Sequence, residues 1–275
     1  MTSNPVEAHY TRGDLLQAVL AGLVAAGHDP EHLEAGALGP VEEFHTFGRQ
    51  GTVALAEAAG LEPGEHVLDV GSGLGGPARH LAREYGCTVT GVDLTAELVA
   101  VAAELTRRVG QDDVVTFQQG DATDLPFADD RFDVVWTQHV SMNIADKPAL
   151  FAEMARVLRP GGRLASFDIL AAEGHPTLHF PVPWAEDAST SALASPAETR
   201  ALLAGAGLAV RVWDDVTAEA AEFYAFLAEL PEEPPPLGLH LLIPNMRVKG
   251  ANLRRGVDEG ALTVVRCVAE HVTPT

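Results

Sequence analysis

His66-Val67-Leu68-Asp69-Val70-Gly71-Ser72-Gly73-Leu74-Gly75-Gly76-Pro77 is the stretch on which the reading of this chain turns. Val67, Leu68 and Val70 make the short apolar run of a buried strand. Four glycines follow within six positions, and Ala78-Arg79-His80-Leu81-Ala82 then opens a helical pattern. A strand that turns through glycines into a helix presents backbone N–H groups and a positive helix end to a ligand. About 20 residues on, Thr88-Val89-Thr90-Gly91-Val92 reads as a second strand. It ends at Asp93, placed to hold a ribose hydroxyl pair.

Gly71-x-Gly73-x-x-Gly76 also satisfies the dinucleotide fingerprint, which makes NAD the first rival ligand. Asp69 weighs against it. Its carboxylate, two residues before Gly71, would face the loop mouth, repel a pyrophosphate and suit an amine-bearing ligand. S-adenosyl-L-methionine carries an ammonium and a sulfonium and no phosphate.

The chain has 275 residues, 47% of them hydrophobic, enough to bury a full core. Its 18 basic and 39 acidic residues give −21, which argues against nucleic acid or an anionic membrane as partner. Cys87 and Cys267 have neither metal nor redox spacing and read as core residues of a reducing cytosol. The longest apolar run, residues 18–27, is too short to span a bilayer, and Arg12 and Asp14 make a poor signal n-region. These features predict a soluble, cytoplasmic protein, a monomer or homodimer.

Residues 1–60 read as helical, with Leu15, Leu16, Val19, Leu20, Leu23 and Val24 on one apolar face. Residues 42–51 are polar and aromatic and lead into a helix at 52–59. Phe44 and Phe47 either pack that helix or, with His45 and Arg49, lie over the cofactor mouth. Residues 114–118 read as a third strand. Asp121 stands just beyond it, where open α/β sheets bind ligands, able to accept from an adenine amine. Residues 132–137 make a fourth strand, and Gln138-His139-Val140-Ser141-Met142-Asn143-Ile144 follows at the ligand crevice. A helix from Lys147-Pro148 ends at Arg159-Pro160-Gly161-Gly162, and residues 163–168 are a fifth strand. Residues 171–195 are loop-like. His175 and His179 lack a third ligand there and are discounted as a metal site. Ser195-Pro196-Ala197-Glu198 is a capping box. Residues 210–213 are a sixth strand, 214–236 with seven acids a solvated helix and exit loop, and 262–268 the last strand.

VLDVGSGLGGPARHLA, GVDLT, GDATDLPFADDRFDVV and MARVLRPGGRLASFDI, in this order over residues 66–170, resemble the class I S-adenosylmethionine-dependent methyltransferases. The resemblance implies an α/β, Rossmann-like, seven-stranded and mostly parallel sheet with an antiparallel last strand. A helical N-terminal cap would occupy 1–60, the cofactor-binding core 61–170, and the remaining core with lid insertions 171–275. It also implies a cofactor site of Asp69, Gly71, Ser72, Gly73, Gly76, Asp93, Leu94, Asp121, Ala122 and Gln138. The glycine loop would hold the methionine part, Asp93 the ribose and Asp121 the adenine end.

EFHTFGRQGT, QHVSMNIADK, FPVPWA and Lys249-Gly250-Ala251-Asn252-Leu253-Arg254-Arg255 are similar to the sarcosine/dimethylglycine N-methyltransferase type. The chain departs from the usual form of the first motif, which more often has two glycines where Phe47-Gly48 stand. The resemblance implies a small-molecule acceptor, first a sarcosine- or dimethylglycine-like amine. The alternative is O- or C-methylation of a phenolic, quinone or other natural product. More remote are an NAD-dependent oxidoreductase and a non-catalytic cofactor-binding protein. His139, Asn143 and His45 are the candidate catalytic residues. Phe44, Arg49, Met142 and Trp184 are the candidate substrate contacts, and no metal is expected. Trp184 serves equally as a core anchor. Arg49, Lys249 or Arg254 would meet an acceptor carboxylate.

Overall fold

A computed structural model describes residues 4–34, 36–174, 177–231 and 233–272. The strands are β1 (His66–Val70), β2 (Thr88–Asp93), β3 (Val115–Gln119), β4 (Phe132–Gln138), β5 (Leu158–Ala171), β6 (Leu208–Asp215) and β7 (Leu262–His271). They form one sheet in the order β3-β2-β1-β4-β5-β7-β6. The first five in that order pair in parallel. The last strand, β7, runs antiparallel between β5 and β6. This is the expected Rossmann-like sheet. β4 is buried at every position, as a central parallel strand covered by helices on both faces must be.

The N-terminal helices are α1 (Pro5–Tyr10), α2 (Leu15–Ala25), α3 (Gly39–Glu42) and α4 (Arg49–Ala59). Within the sheet region lie α5 (Gly76–Tyr85), α6 (Ala96–Arg108), α7 (Lys147–Val157) and α8 (Pro196–Gly205). Two more follow, α9 (Thr217–Ala228) and α10 (Met246–Asp258). α2 buries Leu15, Val19 and Leu23 in a core of its own with Leu38, Leu105 and Ile243. That core fastens the N-terminal segment over the strand ends. Strand order reverses at β1, between β2 and β4, and a ligand crevice opens outside the strand ends at such a point.

Three elements differ from the sequence reading. α4 starts at Arg49 rather than 52, because Gly48 takes a positive φ of 53° and turns the chain into the helix three residues earlier. β5 begins at Leu158, so the Arg159–Gly162 segment continues a strand. A register shift opposite it, between Phe132 and Val134, absorbs the glycine pair. α9 is not solvated all round, since Ala220 and Tyr224 are buried. His179 Nε2 lies 3.0 Å from Glu259 Oε2, while His175 lies outside the described residues. Among the described residues no helix is long and apolar enough to cross a membrane.

Candidate active site

The glycine loop is held from below. The N–H groups of Gly71 and Ser72 both donate to the Val92 carbonyl, at 2.8 and 3.1 Å. A Cβ on Gly71 would stand 2.2 Å from Val140 Cγ2, and one on Gly76 would stand 2.4 Å from the Glu42 carbonyl. The loop is thus pinned between the exit of β4 and α3, with Gly76 beneath it. Gly73 differs, since its Cβ would meet nothing within 4 Å and it lies on a cavity wall.

That cavity, about 150 Å³, carries Asp69, Gly71, Ser72, Gly73 and Asp93 on one side. Leu94, Asp121, Ala122 and Gln138 border it as well. Asp93 accepts from Gly73 N through Oδ2 and from Thr95 N through Oδ1, both at 2.9 Å. Burial pushes its carboxyl up, and these two N–H bonds only partly offset that. Asp121 Oδ1 accepts from Thr123 N and Oγ1, which fixes the turn beyond β3. Gln138 looks the other way, its Oε1 accepting from Trp136 Nε1 at 2.9 Å and Thr52 Oγ1 at 3.3 Å.

Asp69 is buried with Oδ2 lacking a hydrogen-bond partner among the described residues. Burial first, then the charges of Asp93 and Glu43, push its carboxyl up to about 8. The wall therefore holds a proton that a bound cation would expel. It suits an ammonium and a ribose, and it suits a pyrophosphate poorly. S-adenosyl-L-methionine fits these residues. At pH 7 its demethylated product, S-adenosylhomocysteine, should bind with release of a proton from Asp69. Calorimetry in buffers of different ionisation enthalpy checks this, and Asp69→Asn should abolish the release. Asp93→Ala should weaken the same ligand by roughly 1.5–3 kcal/mol through loss of charged hydrogen bonds, read in the same titrations.

A larger cavity, about 710 Å³, adjoins the first. Tyr10, Phe44, His45 and His139 line both, so the two meet there. His139 follows β4 directly and lies in the left-handed region at φ 54°, its N–H donating to the Phe167 carbonyl at 2.7 Å. A non-glycine residue held so costs roughly 1–3 kcal/mol and is characteristic of functional sites. Its Nε2 is buried with no hydrogen-bond partner among the described residues. Burial, then the neighbouring His45, hold its pKa well below the usual value, so the ring is neutral near pH 7.

His45 is engaged at both nitrogens. Nε2 lies 2.8 Å from Glu43 Oε2 and 3.1 Å from Thr52 Oγ1, and Nδ1 lies 3.2 Å from the Thr46 carbonyl. Burial raises the Glu43 carboxyl, but the hydrogen bond and charge of His45 and the charge of Arg49 outweigh it and leave it lowered. Arg49 ion-pairs with Glu42 and Glu43, each at 2.6 Å, and Arg79 holds the other oxygen of Glu42 at 2.6 Å. A buried chain of alternating charge thus runs from Arg79 to His45. Arg49 lines the larger cavity, but two carboxylates already neutralise it.

Asn143 is also fully used. Tyr10 donates to its Oδ1 at 3.1 Å, and its Nδ2 donates to the carbonyls of Trp184 and Thr190 at 2.8 and 3.2 Å. It ties α1 to the 171–195 insertion, and both of its amide hydrogens are already given. Trp184 is buried, its Nε1 donating to Ser191 Oγ at 3.0 Å, and one part of it borders the larger cavity together with Met142. Lys249 is buried at 2.5 Å from Glu186 and is not on the cavity wall, whereas Arg254 is. Tyr224, which the sequence reading left in a solvated segment, lines the cavity with its hydroxyl 2.5 Å from Thr46 Oγ1.

The fold sets an acid-walled crevice at the turn after β1. Residues 68–166 match the family Methyltransf_11, a methyltransferase domain. The chain is 40% identical over 157 residues to the methyltransferase GfsG of Streptomyces halstedii, covering 57% of this chain and 54% of that protein. It is 34% identical over 134 residues to the glycine/sarcosine/dimethylglycine N-methyltransferase of Actinopolyspora halophila, covering 49% and 24%. With an O-methyltransferase of Pyrenophora dematioidea it shares 29% over 212 residues, covering 76% and 77%. Apart from the Pyrenophora protein, the chain spans about half or less of the length of these relatives. In fold it is similar to the geranyl diphosphate C-methyltransferase of Streptomyces coelicolor, with a TM-score of 0.72, 20% identity and coverage of 99% and 100%.

Proposed function

We propose that this chain transfers a methyl group from S-adenosyl-L-methionine to a hydroxyl of a large, mostly apolar small molecule. The observation that carries this reading is the cavity of about 710 Å³ that meets the acid-walled crevice at His139. Sites for drug-sized ligands occupy roughly 300–1,000 Å³. An amino acid as small as sarcosine would leave most of this space to water. Two of the three cations named for its carboxylate are also committed elsewhere, Arg49 to Glu42 and Glu43 and Lys249 to Glu186, while Arg254 stays on the wall. An O-methyltransferase and N- and C-methyltransferases all stand among the similar proteins, so kinship alone does not choose between them.

When bound, S-adenosyl-L-methionine supplies an electrophilic methyl group on a sulfonium. Asp69, with Gly71–Gly73 beside it, would hold the methionine end, Asp93 the ribose and Asp121 the adenine. A hydroxyl must lose its proton as it becomes a nucleophile, and the neutral imidazole of His139, which lines both cavities, would take it. Asn143 and His45 act here as positioning residues, the first fixing the cavity wall, the second standing behind His139. Tyr10 and Phe44 would exclude water from the junction, which alignment for transfer requires.

The test is a screen with a labelled methyl donor. Phenols, quinols and larger apolar alcohols are set beside sarcosine and dimethylglycine. We expect label in the hydroxyl compounds; turnover confined to the amines would overturn the reading.

A further inference from the structure

The neck where the two cavities meet has one kind of wall. The described residues that line both are Tyr10, Phe44, His45 and His139, and every one carries a planar ring. The whole chain has only 10 Phe, 3 Tyr, 3 Trp and 11 His among 275 residues, so this is a local concentration of rings. They stand as two edge-to-face pairs. Tyr10 and Phe44 have ring centres 6.4 Å apart at 73°, and those of His45 and His139 are 6.0 Å apart at 72°. From His139 the rings continue through Phe167 at 5.1 Å, Phe47 a further 6.0 Å on and Phe223 at 5.3 Å from that. Phe223 is again on the wall of the larger cavity. The end of α9 and the segment after it add an aliphatic stretch of wall. Leu227, Leu230, Pro231, Pro234 and Leu239 line the larger cavity there, and none of them borders the smaller one.

A methyl group passing from the smaller cavity to an acceptor in the larger one crosses this neck, so the acceptor atom meets the rings. Aromatic rings pair edge-to-face or offset with another aromatic ring and gain from the match of their quadrupoles. A saturated ring of the same outline offers no such match and is thicker. The base at the neck selects in the same direction. His139 is a buried neutral imidazole, held by burial well below its ordinary pKa, and is therefore a weak base. A weak base takes a proton efficiently only from a comparably strong acid. A phenol, as in tyrosine, ionises near about 10. An alkyl hydroxyl is about as weak an acid as water, at about 16. The rings also attract a sulfonium through their faces, a role that says nothing of the acceptor and that the probes below separate from acceptor choice.

We propose that the acceptor is a phenol, its hydroxyl-bearing ring seated among Tyr10, Phe44, His45 and His139 and an aliphatic remainder lying along the leucines and prolines of the larger cavity. This rests on the reading of the chain as a methyltransferase of hydroxyl groups. In the step, the phenolic proton goes to His139, and an electron pair of the oxygen forms the bond to the methyl carbon. The methyl–sulfur bond breaks and leaves its pair on sulfur. The probes are 4-hexylphenol and trans-4-hexylcyclohexanol, which share outline, length and hydroxyl and differ in the ring. Titrated into the full chain saturated with S-adenosylhomocysteine, the phenol should bind about fivefold or more tighter. In Phe44→Leu, which keeps an apolar side chain but no ring, that ratio should fall by about twofold or more. Leu230→Ala should weaken both probes alike and keep it. With a labelled methyl donor, kcat/KM for the phenol should exceed that for the cyclohexanol by about 100-fold or more. Equal binding of the two probes, or a ratio untouched by Phe44→Leu, would overturn the proposal. Turnover of the cyclohexanol at a comparable rate would overturn it too, keeping the hydroxyl reading and leaving the rings to the sulfonium. Methylation of neither probe would overturn the hydroxyl reading and the proposal together.

Discussion

His139→Asn should lower kcat for a hydroxyl acceptor by roughly 100-fold or more, within the range that general acid–base catalysis contributes. Asparagine is the informative replacement because it tolerates the left-handed backbone that His139 adopts at φ 54°. The turn at the end of β4 is therefore kept, and only the imidazole is removed. Affinity for S-adenosylhomocysteine should stay within a few-fold, since on the proposed reading Asp69 and Asp93 would hold the charged and ribose parts. Initial-rate kinetics beside calorimetric titration separate the two effects. A loss below tenfold in kcat would remove His139 as the base. It would leave alignment and exclusion of water as the whole contribution of the junction.

Gly71→Ala should cost roughly 2–5 kcal/mol of stability, the sum of a left-handed φ on a residue with a Cβ and of forced overpacking. The overpacking follows from a Cβ placed 2.2 Å from Val140 Cγ2. Val140 cannot retreat freely, because its own N–H donates to Asp168 at 3.1 Å. Gly73→Ala makes the contrasting case. Its φ of 52° brings the strain alone, with no atom within 4 Å, so stability should fall by only about 1–2 kcal/mol. Its new methyl would stand at the cavity wall and should weaken cofactor binding more than it weakens the fold. Thermal melts and titrations on both variants check the pair. Equal loss of stability in both would contradict the account of the loop.

The part of this architecture legible in the sequence was the part written in local chemistry. The strand-to-helix turn after Val70 needs glycines at φ values of 74°, 52° and 78°, and only a glycine run announces such a turn. The parallel strands are near-continuous apolar runs because both of their faces are covered, and their alternation with helices gives the sheet. What stayed hidden depends on partners remote in the chain. Arg49 looks like a free cation until α5 brings Arg79 to Glu42 and the Glu42–Glu43 pair closes on both. Lys249 is drawn inside by Glu186, 63 residues away. The glycine pair after Arg159 reads as a helix end, and only the register slip against β4 makes it strand. The acids of the segment at 214–236 mask the one face of α9 on which Ala220 and Tyr224 turn inward.

Titration of the purified chain with S-adenosylhomocysteine, and in parallel with NAD, tests the central claim most directly. A wall of Asp69, Asp93 and Asp121 around a glycine turn predicts saturable binding of the first and none of the second over the same concentration range. Saturable binding of NAD, or no heat with S-adenosylhomocysteine, would contradict it.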